Sequence, residues 1–369
     1  MNELLKRKQI STITPTIKVK RNDYLDIGET PIISQEIEYI SGYCNFHDKN
    51  IPCGNYVCFG DHSEHIKYIN FSFVQGADGL KIMRTNESTI SSRYLFHALS
   101  SKYQRHNNYE RHFKYLTDTI IPVPPLPVQR EIVRILDNFT ELTAELTAEL
   151  TARKKQYAYY RDKLLTHSSE TKICKLADVC ESIADGDHMP PPKADDGIPF
   201  ITISNITEQN KIDFSNTMFV PSSYYDALAD KRKPHSGDIL YTVVGSYGIP
   251  VCIEQDTKFV FQRHIAILRP RSEVIKARYM FHAMQSGAFK AQADKAAKGA
   301  AQKTIGLSSL AEMTLPVPDM CIQERLVRVL DNFDAICTDL NIGLPAEIEA
   351  RQKQYEYYRD KLLSFEEKT

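Results

Sequence analysis

The chain has 369 residues, of which 42% are hydrophobic, 10% aromatic and 25% charged, the composition of a folded globular protein and not of a disordered or fibrous one. At roughly 100–200 residues per domain, two domains are expected. Forty-six basic and 47 acidic side chains leave a formal net charge of −1, which excludes a protein that coats nucleic acid by charge alone but not a sequence reader with its cations in one cleft.

Residues 1–121 hold 15 Lys/Arg, 13 Asp/Glu and six histidines. Met1–Ile10 is Lys-rich without an apolar core, and no 18-residue apolar run occurs anywhere, so neither a secretion signal nor a membrane span is expected. Short β-branched and aromatic runs, Asn55–Phe59 and Ile66–Phe71, read as strands, and Tyr94–Leu99 follows them before a polar stretch. Polar loops beside these strands carry side chains able to meet base edges or phosphates: His62, Ser63, His65 and Lys67, then Tyr109, Arg111, His112 and Lys114. Ordinary solvated loops have the same composition. Asp61-His62-Ser63 holds triad residue types, but neighbours in one loop do not converge on one substrate atom.

Residues 122–139 read PVPPLPVQREIVRILDNF, and the prolines end whatever precedes them. Beyond them Ile132, Leu136, Phe139, Leu142, Leu146, Leu150, Tyr157, Tyr160 and Leu164 recur every three or four residues, with no Gly or Pro from Val128 to Thr166. This spacing predicts a helix of roughly 60 Å with one apolar stripe, which needs a partner helix. Two TAEL units, Thr143–Leu146 and Thr147–Leu150, sit inside it at a period of four. They are either a spacer of defined length or helix filler.

Residues 174–315 carry 16 charges of each sign and again alternate strand-like runs, Ile198–Ile203, Asp238–Val244 and His264–Leu268, with polar loops. Candidate readers there are Asp187, His188, Lys193, Ser246, Tyr247, Gln262, Arg263, Gln302 and Lys303. Tyr279–Met284 repeats the pattern of Tyr94–Leu99. Residues 316–333 then read PVPDMCIQERLVRVLDNF, a second copy of 122–139 at an offset of 194. RQKQYEYYRDKLL at 351–363 repeats 153–165 at an offset of 198. Gly343 and Pro345 predict a kink or break in the second copy, with Pro345 opening a new segment. Identity this dense makes the chain two copies of one unit, a variable globular domain followed by a long helix. Pairing the two helices requires them to run antiparallel with one domain at each end. The expected segments are 1–121, 122–173, 174–315 and 316–369.

No phosphate loop, nucleophile elbow or HExxH occurs, nor the Asn/Asp-Pro-Pro-aromatic motif of amino-methyltransferases. The eight cysteines form no CxxC and read as reduced thiols of a cytoplasmic protein, with no metal site.

The doubled segment PxPPLxxQREIVxILDNF…TAEL…RKKQYxYYRDKLL, its variant GLPAEIEARQKQYEYYRDKLL at 343–363, and their alternation with two dissimilar domains resemble the specificity subunit of a type I restriction-modification system over the whole chain. Gly60-Asp-His62 with Phe73–Gly79, and Asp185–His188 with Gly197–Phe200, resemble target-recognition patterns. The first domain departs by lacking a clear counterpart of Lys175–Ile183, so its N-terminal edge is expected to be abbreviated. The resemblance implies an α+β protein whose two α/β recognition domains each read half of a split DNA site, separated by two long antiparallel coiled-coil helices that set the spacer. It implies partners: two modification subunits that use S-adenosylmethionine to methylate adenine N6, and restriction subunits driven by ATP and Mg. This chain would be non-catalytic and hold no cofactor. A free-standing enzyme would instead be active alone, and a coiled-coil scaffold for proteins would leave no footprint on DNA.

Overall fold

The computed structural model describes residues 1–15, 17–45, 50–76, 79–166, 171–186, 191–207, 209–300, 302–339 and 342–365. The chain divides into two compact units, Met1–Leu146 with Ile348–Thr369, and Thr147–Glu347. Each is a mixed α+β domain joined by part of each helical copy.

In the first unit, β1 (Ile10–Ile13), β2 (Thr30–Ile33), β3 (Gly42–Cys44), β4 (Tyr56–Gly60), β5 (Ile66–Ile69), β6 (Val74–Gln75) and β7 (Leu80–Thr85) make two sheets. The larger is antiparallel in the order β1-β7-β4-β5, and the smaller has the order β3-β2-β6 with β2 parallel to β6. Every residue of β4 is buried because alternate side chains face opposite ways. Val57 and Phe59 pack with Tyr94, Leu95 and Leu99 of the helix Ser92–Lys102, whereas Tyr56 and Cys58 pack with Ile33 and Phe73 from the second sheet's side. The sheet is therefore sandwiched, and its run of apolar residues is what two buried faces require.

The second unit repeats this topology. Its strands are β8 (Lys172–Lys175), β9 (Cys180–Asp185), β10 (Ile198–Ile201), β11 (Met218–Val220), β12 (Ile239–Thr242), β13 (Pro250–Cys252), β14 (Val260–Phe261), β15 (Ile265–Pro270) and β16 (Thr314–Val317). The sheet β9-β15-β12-β13 matches β1-β7-β4-β5 strand for strand, and β11-β10-β14 matches β3-β2-β6, parallel pair included. This corrects the expectation for Lys175–Ile183. The helix Asn2–Lys6 and β1 stand where Leu176–Val179 and β9 stand, so the N-terminal edge of the first domain is present. Among the described residues the ribbon of β8 and β16 and the helices Ser222–Asp226 and Gly287–Ala296 have no counterpart in the first unit.

The first helical copy is one helix, Leu126–Leu165. The second is broken into Met320–Thr338 and Leu344–Leu362, with Pro345 in the first turn of the latter, as Gly343 and Pro345 predict. A Cβ on Gly343 would lie 2.6 Å from the carbonyl oxygen of Ala335 and 2.7 Å from that of Asp339, an approach only glycine allows.

The repeated motif residues form the same clamp in each unit. Gln129, wholly buried, accepts from the N–H of Ser91 and donates to the carbonyls of Thr89 and Pro124; Gln323 does the same with Lys276, Val274 and Pro318. The hydroxyls of Tyr94 and Tyr279 donate to the carbonyls of Pro122 and Pro316. His97 and His282, wholly buried, meet Asp137 and Asp331 through Nε2 at 2.8 and 2.7 Å, and Arg93 and Arg278 pair with the same carboxylates. Nδ1 of His282 accepts from the hydroxyl of Tyr157 at 2.9 Å, and Nδ1 of His97 faces that of Tyr355 at 3.5 Å. Burial lowers both histidine pKa values against the pull of the aspartates, so these rings are neutral crosslinks. Phe139 stacks on Tyr358 in the first unit, and Tyr160 on Phe333 in the second. Leu136 and Leu330 are wholly buried beside these contacts, positions where truncation to alanine costs about 2–5 kcal/mol.

Candidate nucleic-acid interface

At one end of each large sheet the backbone gathers segments from distant parts of the sequence. In the first unit these are the β4–β5 turn, the β6–β7 turn and the loop entering the helix Phe113–Asp118. The N–H of Asp61 donates to the carbonyl of Gly79 at 2.6 Å, and the N–H of His112 to the carbonyl of Asp61 at 2.7 Å. The carboxylate of Asp61 accepts from the N–H of Phe113 at 2.9 Å, and Nδ1 of His62 lies 3.0 Å from the carbonyl of Glu110. Gly79 has φ +101° and a Cβ there would strike Gln35, so glycine is needed for the β6–β7 turn to close in.

Glu64 is the anchor of this arrangement and was not among the expected readers. It adopts φ +58° and is buried, and its carboxylate accepts from the hydroxyl of Tyr103 and the N–H groups of His106 and Asn107. Burial opposes its ionisation, but these donors overcome it and bring its pKa down to about 2. Nothing in the local sequence marks it, since its partners lie some forty residues on.

Tyr109 is 91% exposed and stacks on His62, ring centroids 5.1 Å apart. Arg111 is exposed with no ion pair among the described residues, and Lys114 is exposed but paired with Glu110 at 3.2 Å. Ser63 is half-buried with its hydroxyl donating to the carbonyl of Gln35, and His65 is half-buried with Nδ1 facing Arg105 at 3.1 Å. Two expected readers point inward and are corrected. Lys67 is buried and donates to the carbonyls of Ser34 and Glu38, because its place in β5 shares the buried face with Ile69. His112 is wholly buried between the carbonyl of Asp61 and the amide of Asn108. Asp61, His62 and Ser63 each engage a different partner, so they form no triad.

In the second unit the β12–β13 turn, the β14–β15 turn and the loop before the helix Leu307–Ala311 converge in the same way. The N–H of Gly245 donates to the carbonyl of Lys303, that of Val243 to His264, and that of Ile305 to Val243. Ser246, Gln302, Lys303 and Arg263 are exposed and Gln262 is half-buried; Arg263 and Lys303 have no ion pair among the described residues. The hydroxyl of Tyr247 donates to Asp294 at 2.9 Å. Lys193 is exposed but adjoins Ala194, which bridges to β11. Asp187 and His188 lie outside the described residues.

The expected spacer residues Thr143, Leu146, Thr147 and Leu150 all lie within the helix Leu126–Leu165. Leu150 packs against the core of the second unit. Thr143 and Thr151 donate to carbonyls four residues back. All eight cysteines are free, and burial pushes the thiols of Cys58 and Cys180 up to about 12. No helix among the described residues is long and apolar enough to cross a membrane.

A family model for the type I restriction modification DNA specificity domain matches residues 4–153 and again 168–350. The chain is 30% identical to a type I restriction enzyme specificity subunit of Escherichia coli over 94% of its own length and 90% of the relative's. It is 28% identical to a putative type I specificity subunit of Mycoplasma pneumoniae over 81% and 90%. The crystal structure of a type I restriction-modification S subunit from M. genitalium superposes with a TM-score of 0.56 at 13% identity, covering 97% of this chain and 94% of that one. A structure from work on complex assembly and conformational transition of the type I R-M system gives 0.59 at 16% identity, covering 85% and 83%.

Proposed function

The chain belongs to the type I restriction modification DNA specificity family, and on that premise we propose that each of its two domains reads one half of a bipartite, asymmetric DNA site through the converging loops at the end of its large sheet. One observation carries this reading. The two domains share a strand order and a clamp, residue for residue, yet differ in the side chains of the same three loop segments. A common frame with different exposed groups is what independent readers of different bases need. The aromatic Tyr109 and the free Arg111 serve in the first, Arg263 and Lys303 in the second. Near-neutral net charge accords with a reader whose partners supply much of the grip on phosphates.

The functional division is then residues 1–121 and 174–315 as recognition domains, and 122–173 and 316–369 as helical segments that pair antiparallel and fix the unread spacer. The helices also dock two modification subunits, which bring S-adenosylmethionine and methylate adenine N6. Restriction subunits with ATP and Mg join that core. The chain itself is non-catalytic, and it works in the cytoplasm in defence against foreign DNA.

The test is base-resolved mapping of methylated adenines in cells expressing this chain with its modification subunit. The expected pattern is one split motif with a fixed gap, and exchanging 174–315 for a relative's domain should change one half only. Methylation by the purified chain alone would refute the non-catalytic role, and absence of any DNA footprint from the assembled complex would favour a protein scaffold.

A further inference from the structure

Glu64, His106 and His112 bring their ligand-type atoms within 4.8 Å of one another. Oε2 of Glu64 lies 3.5 Å from Nδ1 of His106, and Oε1 lies 3.6 Å from Nε2 of His112. Nitrogen and oxygen ligands about 2.0–2.2 Å from a tetrahedral zinc ion stand roughly 3.4 Å apart; each histidine is near that spacing from one oxygen of the carboxylate, a different oxygen for each, and the three ligand atoms close to within 4.8 Å.

Each of the three side chains is also held from behind. Nδ1 of His112 is 3.1 Å from the carbonyl oxygen of Asp61. That oxygen can only accept, so Nδ1 carries a proton, which leaves Nε2, now 2.7 Å from the amide oxygen of Asn108, as the atom able to face an ion. The carboxylate of Glu64 is fixed by Tyr103 and two backbone N–H groups. The ring of His106 stacks on Tyr115 with centroids 4.1 Å apart. Two ligands are buried, while His106, 37% exposed in its side chain, leaves an entry path. The amide oxygen of Asn108 sits 2.7 Å from Nε2 of His112. Lone pair against lone pair is repulsive there, and a cation or a turned amide relieves it. Asn108 is exposed and its amide N–H donates to Glu110 at 3.1 Å, so an ion entering there displaces both contacts of this side chain.

We infer that Glu64, His106 and His112 form a zinc site in the first domain, with two nitrogen ligands, one carboxylate and a fourth position open to water. The bound ion pins the loop carrying Tyr109 and Arg111 against the β4–β5 turn. The site stands on its own geometry and does not depend on what that face reads.

The experiment uses the full chain, stripped of metal with a chelator and titrated with zinc chloride against a chromophoric competitor. One zinc per chain is expected, with affinity falling about tenfold or more in His106→Ala, a change at an exposed side chain that leaves the core intact. Cobalt(II) substituted for zinc should show ligand-field bands without a thiolate charge-transfer band, which separates this site from the exposed Cys53 and Cys321. Zinc binding equal in the wild type and in His106→Ala, a thiolate band, or no binding at micromolar zinc would each overturn the inference.

Discussion

Removing the carboxylate of Asp331 tests whether the clamp holds the second domain to its helices. Asp331→Ala leaves Nε2–H of the wholly buried His282 without its acceptor at 2.7 Å, and leaves Arg278 with Asp334 at 3.4 Å in place of two bonds at 2.5 and 3.0 Å. An orphaned buried donor costs about 1–3 kcal/mol, and hydrogen bonds to a charged partner contribute about 1.5–3 each. The side chain of Asp331 is 37% exposed, so water replaces part of what Arg278 loses. The net cost is then about 2–3 kcal/mol. For a unit the size of Thr147–Glu347, each kcal/mol lowers Tm by about 2–4 °C, so the transition of this unit should fall by roughly 4–12 °C. Differential scanning calorimetry of the full chain reads this, with Asp334→Ala as the milder control. Asp137→Ala should lower the other unit's transition by a similar amount, because His97 and Arg93 bond it in the same way. A loss under about 0.5 kcal/mol for Asp331→Ala, or one no greater than for Asp334→Ala, would show that the histidine is satisfied otherwise and that the clamp is not what the geometry says.

The same clamp gives a pH dependence. His97 and His282 have folded-state pKa values below the ordinary 6.5, so the unfolded chain takes up their protons first; stability is complete above pH 6.5 and falls as pH drops below it, with a slope of up to about 1.4 kcal/mol per pH unit for each ring. Urea unfolding at pH 7.5 and 5.5 measures it, and a flat profile would contradict neutral buried rings. Arg111→Ala and Arg263→Ala should each weaken binding of the complex at one half-site; a base contact costs about 1–3 kcal/mol of discrimination, whereas a phosphate contact weakens all sequences alike. Unchanged affinity for specific and random duplex alike would remove them from the interface. Deleting Thr147–Leu150 takes about 6 Å from the helix, and the methylation map should keep both half-sites while the gap shrinks by one or two base pairs of about 3.4 Å; an unchanged gap in an active variant would make the TAEL units filler.

What could be read from the sequence was whatever repeats with a period. The apolar stripe from Ile132 to Leu164 foretold one long helix, and Gly343 with Pro345 foretold the interruption of its copy. The strands at Tyr56–Gly60 and Ile239–Thr242 were visible as β-branched and aromatic runs. The N-terminal edge is not legible because Ile10–Ile13 and Cys180–Asp185 have no run of residues in common; only pairing with β7 reveals it. Lys67 and His112 were chosen by residue type, when the alternation of β5 already turns Lys67 to the side of Ile69. The partners of His97, Glu64 and Gln129 lie some forty residues away, a distance no local pattern spans.

The clamp has a consequence for how such a chain changes. It engages a domain through few side chains, Arg93, Tyr94 and His97 or Arg278, Tyr279 and His282, together with backbone groups at the start of one helix. None of these belongs to the converging loops. The helical copies therefore behave as a standard socket, and an insert that presents an arginine, the tyrosine after it and a histidine three residues beyond that tyrosine on its docking helix fits the plug. Loops at the far end can drift without loosening the fitting, which separates the pressure to stay assembled from the freedom to acquire a new target.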